Sequence, residues 1–153
     1  MDTSKSAKIS IRRASVHDTQ KIYRIEKECF STPWSENSIF SAINNSNTYF
    51  IVAQESCENI IGYTGIYFVC RESYMYNIAV KKRFQQLGIG TKLIKCLKNF
   101  CIEKCMEFLS LEVRESNISA IKFYEKMNFK IMGLRKNFYS LPKEDALIMT
   151  TCF

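Results

Sequence analysis

Between Tyr76 and Ile94 an apolar stretch, Tyr76-Asn-Ile-Ala-Val80, runs into a short basic and polar loop, after which Gly88 and Gly90 open an amphipathic helix. Glycine lets a backbone approach a ligand closely, and the first turn of a helix presents N–H groups with no partner inside the helix. Together they form a cradle for an anion such as a phosphate. Spacing excludes two familiar cradles. A P-loop needs Gly-Lys-Ser/Thr after a longer spacer, whereas the order here is Gly90-Thr91-Lys92. A dinucleotide fingerprint needs a third glycine where Leu93 stands, and its first glycine directly after the strand, where Lys81 to Leu87 intervene. What remains is Gln85-x-x-Gly88-x-Gly90 after a strand, with a plain glycine-punctuated helix start as the alternative.

The other residue types that do chemistry point away from metals and covalent catalysis. The seven cysteines, Cys29, Cys57, Cys70, Cys96, Cys101, Cys105 and Cys152, include no CxxC pair. Cys96, Cys101 and Cys105 do not share one helix face. With His17 the only histidine, no metal site is expected, and no cysteine has a histidine in sequence reach to activate it. The cysteines read as reduced core or surface residues. A formal charge of +7 suits an anionic ligand, such as coenzyme A phosphates or RNA, or serves solubility alone. The basic residues are spread along the chain, and no direct nucleic-acid binding is expected.

These residues must be positioned by one domain. At 153 residues the chain fits a single core, no linker or repeat divides it, and no apolar run approaches the ~20 residues of a membrane span. Residues 1–7 are polar, lack the apolar segment of a secretory signal and are expected to be flexible. A cytoplasmic monomer is the expectation.

Periodicity gives the elements. Lys8–Arg12 alternates as a half-buried strand. Ile22, Ile25 and Cys29 mark a helix from Asp18 to Phe30, and Ser35 caps a second through Ile43. Tyr49–Ala53 is a strand, Cys57–Asn59 a turn, and Ile60–Val69 and Ser73–Val80 two further strands. Leu93, Ile94, Leu97, Phe100 and Cys101 line one face of the helix after Gly90. Phe108–Val113 is a strand, and Ser116-Asn117 leads into a helix from Ile118 to about Met127, followed by Asn128 as a left-handed cap. Phe129–Leu134 and Ala146–Cys152 close a βααβββαβαββ order, a mixed α/β single domain.

The glycine loop, followed at the expected distance by Leu111-Glu-Val-Arg-Glu-Ser-Asn117 and Phe123-Tyr-Glu-Lys126, resembles the core of the GNAT superfamily of acyl-CoA-dependent N-acetyltransferases. The resemblance extends from about Ile9 to the C-terminus. Within the superfamily, Pro33-Trp-Ser35, Asn77-Ile-Ala-Val80, Leu111–Arg114 with Ser116-Asn117, Arg135–Tyr139 and Glu144–Met149 are similar to the RimI type. Those enzymes acetylate the N-terminal alanine of the eighteenth small-subunit ribosomal protein. Archaeal and eukaryotic N-terminal acetyltransferase catalytic subunits share this core. Three positions depart from the pattern. Leu87 and Gln86 are uncharged where the family often has basic residues, and Asn128 replaces a glycine.

The resemblance implies a GNAT fold: a mixed, mostly antiparallel sheet splayed between strands 4 and 5 and flanked by four helices. It implies acetyl-CoA as acetyl donor, with Ile78, Ala79 and Val80 along its arm and Gln85, Gln86, Leu87, Gly88, Ile89, Gly90 and Thr91 around its pyrophosphate. Asn117 would contact the same arm. Val80 and its neighbours would offer backbone groups left free by the splay. Amide formation needs a deprotonated amine, and a carboxylate supplies the base. Alternation puts Glu112 on the face opposite Leu109, Leu111 and Val113, and the resemblance makes it the base, a solvated strand glutamate being the other reading. Tyr124 matches the family's general acid, a tyrosine staying protonated near neutral pH; a core aromatic beside Phe123 is its rival. Trp34 and Tyr139 would wall the groove for the acceptor, the N-terminus of a ribosomal protein. A net-positive enzyme acting on a basic protein is a tension that Glu26, Glu28, Glu36 and Asp145 would offset if they face the acceptor.

Two other readings stay open. One is a GNAT enzyme for a small amine such as a polyamine or antibiotic, which the match at Arg135–Met149 disfavours. The other is a catalytically silent CoA-binding or RNA-associated module, which the presence of both Glu112 and Tyr124 disfavours.

Overall fold

The computed structural model describes residues 8–56 and 58–153. The expectation for residues 1–7, and Cys57 of the expected turn, lie outside the described residues. The chain forms β1 (Ser10–Arg13), α1 (Thr19–Cys29), α2 (Glu36–Ile43), β2 (Thr48–Ser56), β3 (Asn59–Val69), β4 (Glu72–Val80), α3 (Ile89–Glu103), β5 (Phe108–Arg114), α4 (Ile118–Lys126), β6 (Lys130–Ser140) and β7 (Lys143–Cys152). The expected order holds, with 3₁₀ turns added at Val16–Asp18 and Lys82–Phe84. Among the described residues no helix is long and apolar enough to cross a membrane.

The caps fall where the residue types placed them. Ser35 accepts the N–H of Ser38 at 3.1 Å and starts α2. Asn117 Oδ1 accepts the N–H of Ala120 at 3.2 Å and starts α4. Asn128 takes φ 66° just after α4, the left-handed conformation that asparagine tolerates.

The strands join in one seven-stranded sheet, β1-β2-β3-β4-β5-β7-β6. Only β4 and β5 pair in parallel; the other neighbours are antiparallel. The sheet carries helices on both faces. Ile89, Leu93, Ile94, Leu97 and Cys101 of α3 pack with Ile51, Ile61, Met75, Leu109, Leu111 and Val113, and Ile121 and Tyr124 of α4 join that core. Ile22 and Ile25 of α1 and Ile39 of α2 pack with Phe50, Val52, Ile60 and Tyr63 in a second one. Each such aliphatic side chain, buried fully, contributes roughly 1.5–3 kcal/mol.

The closing hairpin is much longer than the apolar pattern indicates. The expected strands Phe129–Leu134 and Ala146–Cys152 continue to a turn at Leu141-Pro142. The added length is mostly charged or polar apart from Phe138 and Tyr139, and it is irregular: the β6–β7 register shifts between Arg135 and Tyr139, and Asn137 there has φ 55°. It is held from β5, since Arg114 donates to the carbonyls of Leu141 and Pro142, both at 3.0 Å.

Candidate active site

The site begins where the β4–β5 ladder stops. Pairing covers only Glu72–Tyr74 against Phe108–Ser110, although both strands run on. The β3–β4 register supplies a cause. Thr64 pairs with Ile78 and Ile66 with Met75, so Gly65 alone faces both Tyr76 and Asn77. An extra residue on one strand bends it and re-aims its side chains. Both bulged residues reach toward α1 and its link to α2. Tyr76 meets Trp34 edge-on at 4.8 Å and stacks on Phe50 at 5.6 Å, while Asn77 Nδ2 donates to Glu26 Oε1 at 3.0 Å. Gly65 makes this packing possible, because a Cβ there would stand 2.3 Å from the Phe50 ring.

The opened strands border a cleft of about 930 Å³. At one end lies the glycine loop. Gln86 has φ 60° and Gly88 φ 79°, and left-handed residues in such a turn aim successive N–H groups into a concavity that suits an anion. The first-turn N–H groups of α3 add to it, with the positive end of a 15-residue helix dipole behind them. Gln85 lines the cleft, its Nε2 donating to the Val80 carbonyl at 2.9 Å, and Cys29 Sγ lies 3.4 Å from the same oxygen. The Val80 carbonyl is therefore engaged by the protein, while Val80 itself lines the cleft. Leu87 does not line the cleft, and its side chain is 62% exposed.

The remaining sequence-derived residues line this one cleft: Ile78, Ala79, Gln86, Gly88, Ile89, Gly90, Thr91, Asn117, Trp34 and Tyr139, with Glu112 and Tyr124. Glu112 lies two residues past Ser110, the last residue of β5 to pair with β4, on the face opposite buried Leu109, Leu111 and Val113. It is half-buried, and Oε1 is 3.5 Å from Arg135 Nε. Tyr124 is buried, and burial, followed by the neighbouring Tyr139, holds its hydroxyl well above the ordinary tyrosine range. Burial also raises Tyr139, with Arg114 opposing.

Two residues build this site in roles that the sequence did not assign them. Arg114 stacks over Tyr139 at 4.1 Å and reaches Glu144 Oε2 at 3.1 Å, and Glu144 Oε1 accepts the Ser116 N–H at 2.6 Å. These contacts pull Glu144 below the usual carboxylate range, Ser116 first and Arg114 after it. Glu26 is the second, and it overturns an expectation: it is fully buried and faces no acceptor. Its carboxylate takes the Trp34 N–H at 2.9 Å, the Asn77 amide and the Tyr63 hydroxyl. Spacing could have found it, since Glu26 falls on the Ile22, Ile25, Cys29 stripe of α1. Glu28 and Asp145 are likewise taken up by backbone, at Lys82 N (2.8 Å) and Asn137 N (2.7 Å).

The model of the acetyltransferase (GNAT) family matches residues 19–129. A ribosomal protein bS18-alanine N-acetyltransferase of Haemophilus influenzae is 34% identical over 135 residues, 86% of this chain and 90% of that protein. The crystal structure of the ribosomal-protein-S18-alanine N-acetyltransferase from Escherichia coli superposes with a TM-score of 0.88 at 28% identity, over 95% of this chain and 94% of that one. The structure of Ard1 from Thermoplasma volcanium does so with a TM-score of 0.86 at 27% identity, over 94% and 97%.

Proposed function

Since the chain belongs to the GNAT acetyltransferase family, for which acetyl-CoA is the acetyl donor, we propose that it acetylates the N-terminal alanine of ribosomal protein bS18. The observation that carries this reading is a single cleft. It collects an anion cradle at α3, a strand carboxylate at Glu112, a buried phenol at Tyr124 and an aromatic wall at Trp34 and Tyr139. The activity of the bacterial relatives supports the choice of acceptor.

In this reading the α3 N-terminus and the left-handed turn at Gln86–Gly88 hold the donor's pyrophosphate. The donor supplies an activated thioester. An α-amine has a pKa of roughly 7.7–8.0, so near neutral pH most of it carries a proton that must leave before attack. Glu112 takes that proton, directly or through one water. As the N–C bond forms and the C–S bond breaks, Tyr124, kept protonated by burial, gives its proton to the departing sulfur. Asn117 lies against the donor's arm, and Trp34 and Tyr139 orient the peptide. The enzyme acts as a monomer in the cytoplasm and needs neither nucleic acid nor membrane.

Acetyl-CoA turnover read by mass spectrometry on three acceptors tests this. A peptide with the ribosomal protein's free N-terminal alanine is expected to be acetylated, and the same peptide with a blocked amine and spermidine are not. Reaction with spermidine alone would make this a small-amine enzyme, and silence on all three would leave only donor binding.

A further inference from the structure

A single guanidinium gathers the tip of the β6–β7 hairpin. Arg114 donates to the carbonyls of Leu141 and Pro142, both at 3.0 Å, reaches Glu144 Oε2 at 3.1 Å and lies over the Tyr139 ring at 4.1 Å. The other oxygen of Glu144 accepts the Ser116 N–H at 2.6 Å, next to Asn117, which caps the helix that carries Tyr124. One ion pair therefore ties the tip to the strand of Glu112 and to the start of α4.

Such a clamp would steady any long hairpin, but the ring it covers is not placed by the sheet. The β6–β7 register breaks between Arg135 and Tyr139, Asn137 there is left-handed, and β6 fully buries none of its side chains. The Tyr139 ring nevertheless borders the same cleft as Glu112 and Arg114. Arg114 stands two residues beyond Glu112 on the same face of β5, so one strand carries the base and also sets the ring. Burial raises the Tyr139 hydroxyl and Arg114 lowers it, with the charges of Glu112 and Glu144 acting after them. The Arg114 and Glu144 side chains are 26% and 18% exposed, which sets them apart from the loosely held ion pairs of an open surface.

We infer that Arg114, held by Glu144, is a positioning residue for acetyl transfer: it fixes the Tyr139 ring relative to Glu112, so that the amine is presented to its base. The inference rests on the N-terminal acetyltransferase reading above. The role asks for a guanidinium. Its plane offers a face to the ring while its edge donates to three oxygens, those of Leu141, Pro142 and Glu144. A lysine ammonium carries the same charge but has neither the face nor the fork. Placement matters because a shift of ~1 Å at the reacting atoms costs about 10²-fold in rate. Arg114 acts through Tyr139 and takes no part in making or breaking bonds.

The test measures kcat and KM of the full chain for the free alanine peptide and for acetyl-CoA. Arg114→Lys is expected to lower kcat/KM for the peptide about tenfold, with KM for acetyl-CoA changed less than about twofold. The same substitution is then made in two backgrounds. With Tyr139→Phe, which keeps the ring, it should cost its full tenfold; with Tyr139→Ala, which removes the ring, less than about twofold. Thermal melts accompany every variant. Where Arg114→Lys does not fold, Glu144→Gln, which keeps an acceptor for the Ser116 N–H, goes through the same cycle with a smaller loss expected. A penalty that is equal with and without the ring, or equal for peptide and acetyl-CoA, overturns the positioning role and leaves a structural clamp. Either result leaves the enzyme reading intact as long as wild type acetylates the peptide, and a silent wild type overturns both.

Discussion

Asn77 Nδ2 donates to Glu26 Oε1 at 3.0 Å, tying the bulged residue of β4 to a fully buried carboxylate on α1. The same carboxylate takes the backbone N–H of Trp34 at 2.9 Å. The strand that opens the cleft and the loop that walls it therefore share one anchor.

Removing that anchor should cost both stability and acceptor binding. Glu26→Ala strands the Asn77 amide, the Trp34 N–H and the Tyr63 hydroxyl, with an expected loss of about 3–5 kcal/mol in urea unfolding. Glu26→Gln is milder and isolates a titration. Burial raises Glu26, opposed by the Trp34 N–H and Asn77. The folded chain therefore keeps this proton to a higher pH than the unfolded one. The stability linked to Glu26 is whole below its unfolded value of about 4.3 and is lost as pH rises through the folded value. The advantage of wild type over Glu26→Gln should shrink across that window, and urea midpoints for both proteins from about pH 4 to pH 7 measure it. An unchanged difference would mean that Glu26 does not titrate there.

Glu112→Gln keeps the size of the side chain and removes its basicity. Under the proposed mechanism kcat should fall roughly 10²–10⁴-fold, the range of a general base, with acetyl-CoA affinity by calorimetry nearly unchanged. Tyr124→Phe keeps the buried ring and should lower kcat without a large shift in melting temperature. Wild-type turnover in Glu112→Gln would take Glu112 out of the chemistry.

The element order and three caps were legible because Ser35, Asn117 and Asn128 act through their own neighbours in sequence, and because the apolar stripe of α3 repeats with the helix period. The bulge was not, since it is a mismatch between two strands and neither strand carries it alone; Gly65 was its only local trace. The spacing of Glu26 on the α1 stripe marks it as buried but does not show what satisfies it, since Tyr63 and Asn77 come from strands far along the chain. The long hairpin escaped for a related reason. Arg135–Asn137 shows no apolar alternation, and the contacts that hold it come from Arg114 on another strand.

Gly65→Ala tests whether the bulge depends on the ring above it. The new Cβ would fall 2.3 Å from Phe50 Cδ1 and Cε1, so the ring must move. Overpacking of this kind costs typically about 1–3 kcal/mol. Phe50 also stacks on Tyr76, so KM for a peptide acceptor should rise more than KM for acetyl-CoA. Equal changes in the two constants would point to general destabilisation and away from a local effect on the acceptor wall.

Gly88→Ala separates backbone conformation from space in the anion cradle. Gly88 has φ 79°, yet a Cβ there would meet nothing within 4 Å, so any penalty comes from the left-handed backbone, about 1–2 kcal/mol for an L-residue. Part of that strain is relieved if the loop relaxes, and relaxation turns its N–H groups away from the concavity. The expected result is a tenfold or greater loss of acetyl-CoA affinity by calorimetry, with a modest fall in melting temperature. Gly88→Asn adds a larger side chain but tolerates the left-handed region, and should recover most of the affinity. If alanine and asparagine weaken binding equally, the bulk of the side chain matters and the conformational account of this cradle fails.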